Sequence, residues 1–153
     1  MEYREEVKSS FVVVGYIEAG KWSGDMVYPI PSLWEKARRF ISESNADDLT
    51  GICLPPRSDH YYYTCGMEIE AVVFSKIENN MTLHTFPEQR YVVFTHIGPS
   101  TNISQTYGEL WRVFDREGYK IKAGMPEIEN VKACMYGKEG TQEYEMEIWI
   151  PIQ

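Results

Sequence analysis

The stretch YEMEIWIPI, residues 144–152, brings two carboxylates and an indole together on one side of an extended chain. Strict alternation places Glu145, Glu147 and Trp149 on one face and Met146, Ile148, Ile150 and Ile152 on the other. A carboxylate taken out of water is costly unless it is paired. An indole or phenol face attracts a cation by roughly 0.5 to 2 kcal/mol, depending on desolvation. If that face is covered, Glu147 beside Trp149 is a seat for something flat and cationic. If it is open, both are ordinary strand residues, and on spacing alone the two readings weigh equally.

The same pattern occurs earlier in the chain. GMEIE at residues 66–70 lies over EMEIW at residues 145–149, matching Met67 to Met146, Glu68 to Glu147 and Ile69 to Ile148. FVVVGYIEAG at residues 11–20 lies over YVVFTHIGPS at residues 91–100, which makes Tyr16 and His96 equivalents, each a ring with a polar tip. Glu68, Tyr16 and His96 therefore join Glu147 and Trp149 as candidates to line a groove. In RSDHYYYTC, Tyr62 shares parity with Glu68, whereas Tyr61 and Tyr63 point the other way, so Tyr62 is taken as the groove-side ring.

The elements that must position these residues follow from the same repeat. Each β-branched, aromatic first strand is apolar on both faces and so expected to be covered on both. Each is followed by an amphipathic helix. In the first, Ser32 and Glu35 read as a capping box, with Leu33, Ala37, Phe40 and Ile41 as the apolar stripe. In the second, Asn102 and Gln105 take that role, Ile103, Tyr107, Leu110, Trp111 and Phe114 fall at helical spacing, and Gly118 ends the run. Two strand-like stretches then close each half: TGICLPP and YYYTCGMEIEAVVF, then VKACMYG and YEMEIWIPI.

The expected fold class is thus α+β: a tandem pseudo-twofold repeat of strand, helix, strand, strand, giving one antiparallel sheet with two helices on one face. The halves run over about residues 1–78 and 85–153 of a single ligand-binding domain. The polar, turn-rich segment 75–89 joins them, and the first strand begins near Phe11.

Composition narrows the function. A net charge of −8 without a Lys/Arg cluster opposes direct binding of nucleic acid. No apolar run is long enough to cross a bilayer and the charged N-terminus does not resemble a signal peptide, so a cytoplasmic location without membrane contact is expected. Three cysteines without a C-x-x-C pair suit a reducing compartment. The three histidines have no metal-ligand spacing, and GPSTN lacks the lysine and glycines of a phosphate loop, so neither a metal nor another cofactor is expected. With 11 Tyr and 4 Trp, the chain has the material for an aromatic cage.

VVFTHIGPSTNISQTYGELW and the closing EMEIWIPI resemble the GyrI-like small-molecule-binding domain, the effector-binding half of AraC-type and MerR-type multidrug regulators, across nearly the whole chain. The resemblance implies a groove between the halves that takes bulky aromatic, often cationic, molecules. It carries over Glu147 and Trp149 from the terminal strand and Tyr107 and Trp111 from the second helix, with Tyr16 and His96 as further walls. Some relatives also place an acid in the penultimate strand, where KACMYG would put Cys134 or a neighbour. No DNA-binding segment is expected ahead of residue 11.

Free-standing relatives that open cyclopropane rings of aromatic genotoxins suggest a second reading, a hydrolase in which Glu147 activates a water. The family's namesake inhibits DNA gyrase, which suggests a third, a protein-binding module.

Overall fold

The computed structural model describes residues 1–21, 29–41, 46–54 and 60–153. Among these residues eight strands form one antiparallel sheet: β1 Tyr3–Lys8, β2 Phe11–Lys21, β3 Asp48–Leu54, β4 His60–Glu68, β5 Thr82–Phe86, β6 Gln89–Ile97, β7 Glu127–Lys132 and β8 Glu145–Pro151. Their order is β1-β6-β8-β7-β3-β4-β2-β5. The two halves meet where β3 pairs with β7, from Asp48 opposite Lys132 to Cys53 opposite Glu127. Outward from this seam the order is β3-β4-β2 on one side and β7-β8-β6 on the other, as a pseudo-twofold repeat requires.

Both helices lie on one face of the sheet. Helix α1, Ile30–Ile41, packs Leu33, Ala37 and Phe40 onto Val14, Tyr63 and Met67. Helix α2, Ile103–Glu117, packs Leu110, Val113 and Phe114 onto Val92, Phe94 and Ile148. The side chain of Ile41, expected in the first stripe, lies outside the described residues, as do residues 55 and 56 at the end of the TGICLPP stretch.

The expected caps are not made. Helix α1 starts at Ile30, and Ser32 inside its first turn donates its hydroxyl to the Pro29 carbonyl at 2.8 Å. Pro31 fits this turn because a first-turn N–H has no intrahelical acceptor to lose. Asn102 stands at the start of α2, but its side chain makes no capping bond. Gly118 does end α2, in the left-handed conformation with φ 72° that a residue with a Cβ adopts rarely.

Four strand assignments from the sequence need correction. The segment before Phe11 is a strand, β1, and the supposed linker contains another, β5; both are short edge strands rich in polar residues, which hides their period. The penultimate strand is Glu127–Lys132, and Ala133–Met135 is a single 3-10 turn. The ladder stops there because its partner β3 begins at Asp48, opposite Lys132. Likewise β4 ends at Glu68, followed by a 3-10 turn at Ile69–Ala71.

The sheet is strongly curled. Only residues 9 and 10 separate β1 from β2, yet these strands lie near opposite ends of the strand order, as do β5 and β6, which are separated only by residues 87 and 88. A link of three Cα steps spans at most about 11 Å. The two ends of the sheet must therefore approach each other, and Phe11, Val13, Tyr91, Val93 and Trp149 fill the space enclosed by the face away from the helices. The Phe11 and Phe86 rings meet at 5.1 Å.

On the helix face, the Tyr63 ring of β4 crosses Gly51 of β3, where a Cβ would overlap the Tyr63 hydroxyl and crowd Trp34. Gly51→Ala is expected to destabilise the fold by about 1–3 kcal/mol through overpacking. Comparing its urea midpoint with that of Gly108→Ala, where a Cβ meets nothing within 4 Å, checks this.

Candidate functional site

Between α1 and α2, above the seam of β3 and β7, lies a cavity of about 1010 Å³. Helix α1 contributes Trp34, β4 contributes Tyr61 and Tyr63, and α2 contributes Tyr107 and Trp111. The floor carries Glu127 and Glu129 of β7, which project to the helix side because they share parity with the buried Val131. Both halves of the chain are needed to enclose this space.

Glu129 is the chemical centre of the cavity. Tyr63 donates its hydroxyl to Oε2 at 2.5 Å and Tyr107 donates to Oε1 at 3.2 Å. Trp34 Nε1 donates to the Tyr63 hydroxyl at 3.1 Å, extending the network to α1. Burial raises the Glu129 pKa above its ordinary 4.5, although the two tyrosine bonds act to lower it. Burial first, and the nearby Glu129 second, hold Tyr63 and Tyr107 well above the ordinary tyrosine range, so both remain neutral donors. No described cation pairs with Glu129. Arg38, which also lines the cavity, is paired with Glu139 and lies 4.7 Å over the Tyr136 ring.

The floor is hostile to a thiolate. Cys53 is pushed up to about 12, first by burial and then by the neighbouring Glu127 and Glu129. At neutral pH it is a thiol and a poor nucleophile. No group of three or more His, Cys, Asp or Glu among the described residues could hold a metal ion. The arrangement is suited to presenting negative charge to a ligand held between aromatic rings.

The residues proposed from the sequence are divided between the two faces of the sheet. Tyr107 and Trp111 line the cavity. Glu147, Trp149 and Glu68 lie on the reverse face, because they share parity with Val93 and Val13 rather than with the helix-facing residues. There the acid and indole are occupied by the chain itself. Arg4 bonds Glu147 at 2.9 Å, Lys8 bonds Glu68 at 2.5 Å, and each cation lies 5.6 Å from the Trp149 ring. Trp149 Nε1 also donates to Glu147 at 3.1 Å.

Tyr62 is 45% exposed on the reverse face, while Tyr61 and Tyr63 face the cavity. The parity shared by Tyr62 and Glu68 is real, but the cavity opens on the other side. Tyr16 and His96 are on the helix face yet do not line the cavity. Tyr16 donates to Glu78 at 3.0 Å, and His96 bridges Thr106 and the Gly98 carbonyl, holding the turn before α2. Cys134 is exposed in the turn after β7.

Sequence reasoning missed Glu129, Glu127, Trp34, Tyr61 and Tyr63. The available signal was EIENVK at residues 127–132, whose alternation puts two glutamates and a valine on one face. Such a strand reads as solvated unless a cavity covers it.

The whole sequence, residues 1–153, matches the family described as GyrI-like small molecule binding domain. Transcriptional regulator BrlR of Pseudomonas aeruginosa is 25% identical over 130 residues, which is 82% of this chain but only 46% of that protein. Two solved structures share the fold at lower identity. SAV2435 bound to tetraphenylphosphonium has a TM-score of 0.79 at 18% identity, covering 100% of this chain and 94% of its own. The EcmrR C-terminal domain has 0.71 at 14%, covering 99% and 97%. Among the described residues no helix is long and apolar enough to cross a membrane.

A pKa raised on folding means that the folded state binds the proton more tightly than the unfolded one. The stability tied to Glu129 is thus complete below its unfolded pKa and lost as pH rises through its folded value. Glu129→Gln is expected to melt higher than the parent at neutral pH, with the difference vanishing in acid. Thermal unfolding at pH 7 and pH 4 checks both signs.

Proposed function

The chain belongs to the family of GyrI-like small molecule binding domains, and from that premise we propose that it takes up bulky aromatic cations between α1 and α2, with Glu129 as their counter-charge. The observation that carries this reading is a desolvated carboxylate with two neutral donors and no described cation, set among aromatic rings. The tyrosines fix its orientation and leave its charge uncompensated. A ligand cation would supply the missing partner, while Trp34, Tyr61, Tyr107 and Trp111 offer ring faces to its body.

Size favours the same class of ligand. A volume of about 1010 Å³ is at the upper end of the range for small-molecule pockets. A delocalised aromatic cation also surrenders less hydration than a compact ammonium ion, so it enters an apolar cavity at lower cost. The binding of tetraphenylphosphonium by SAV2435, a protein of similar fold, supports this choice. In this reading Glu129 takes the role the sequence assigned to Glu147, and Tyr107 and Trp111 keep theirs.

Glu129→Gln preserves size while removing charge. It is expected to weaken tetraphenylphosphonium by about tenfold to a hundredfold, equivalent to roughly 1.4–3 kcal/mol, while changing a neutral aromatic of equal size much less. Calorimetric titration of both compounds is the measurement, and equal weakening of the two would sink the reading.

Cation affinity is also expected to fall with decreasing pH, because protonation removes the counter-charge. Since the Glu129 pKa is raised, the loss should begin at a higher pH than an ordinary carboxylate near 4.5 would give. Affinities measured from pH 7.5 to pH 4.5 check this, and Glu129→Gln should flatten the profile.

A further inference from the structure

The cavity contains more acid than one cation can neutralise. Glu35, Glu127, Glu129 and Glu139 line it, with Arg38 as the one described cation among its lining residues. Arg38 is committed to Glu139, and Glu35 is exposed at the rim. Two carboxylates therefore remain on the floor. Glu129 has its tyrosine donors, whereas Glu127 has neither a hydrogen-bond nor an ion-pair partner among the described residues.

Their spacing is fixed by the strand. Glu127 and Glu129 are two residues apart on β7, so their side chains leave the same face about 7 Å apart. Pairing with β3 holds both in register, Glu127 opposite Cys53 and Glu129 opposite Gly51. Cys53 is a neutral thiol and Tyr107 of α2 is a neutral phenol, so neither neighbour compensates Glu127. Burial, and then the charge of Glu129, raises the Glu127 pKa, in keeping with two uncompensated acids on one wall.

We propose that Glu127 is a second counter-charge, which makes the cavity selective for aromatic dications whose charged centres are about 7 Å apart. This rests on the reading of Glu129 as a cation's partner. A monocation at Glu129 leaves Glu127 desolvated and unpaired, whereas a rigid dication satisfies both with one ordering cost. The same cavity of about 1010 Å³ is lined by both acids and by Trp34 of one helix and Trp111 of the other, so its volume suits an aromatic body that reaches both acids.

The test uses an aryl mono-quaternary ammonium and its bis-quaternary analogue with the same aromatic body, titrated calorimetrically into the full chain. The parent protein is expected to prefer the dication by about tenfold. Glu127→Gln should bring that ratio close to one by weakening the dication more than the monocation. Glu129→Gln should weaken both. Monocation binding without a dication preference, or a preference that survives Glu127→Gln, overturns the proposal and leaves the reading of Glu129 standing. Failure of the parent protein to bind either probe overturns both.

Discussion

A carboxylate on a cavity floor with no described cation beside it is a standing liability, because desolvation penalises the charge that Tyr63 and Tyr107 help to hold. Much of the structure around Glu129 serves to keep that charge positioned. Gly51 lets the Tyr63 ring pass over β3, Trp34 fixes the Tyr63 hydroxyl, and α2 delivers Tyr107 from the other half. The four groups come from α1, β4, β7 and α2, so the site exists only when both repeats have folded against each other. In the proposed reading, the stability given up at Glu129 is available to a ligand that restores the missing charge.

The reverse face solves a similar problem differently. Glu147, Glu68 and Trp149 form an acid and indole constellation of the kind a flat cation would use, and β1 fills it with Arg4 and Lys8. Because β1 runs directly into β2 at the opposite end of the strand order, these contacts also help to close the curl of the sheet. The same chemistry thus serves two purposes. On one face the partner is built into the chain, and on the other no described residue supplies it.

Much of the fold was legible in the sequence. The repeat, both helices, the Gly118 stop and the strands β2, β4, β6 and β8 follow from patterns imposed by period and by punctuation. The edge strands β1 and β5 were not legible, since a strand paired on one side and facing water carries little apolar alternation. Strand β7 was misplaced for a related reason: its inward positions hold two glutamates, so the pattern that marks a covered strand is broken where the site lies.

The sequence by itself determined which residues share a face, because alternation follows from backbone geometry alone. It grouped Glu68 with Tyr62 and Glu147 with Trp149 correctly. Which face would carry the cavity was decided only in the tertiary structure, by the helices leaving a gap over β3 and β7 and by the curl that brings β1 across the other side. Period two is blind to that choice. A carboxylate reads the same in the sequence whether an arginine from another strand covers it or two tyrosines hold it at the floor of a cavity.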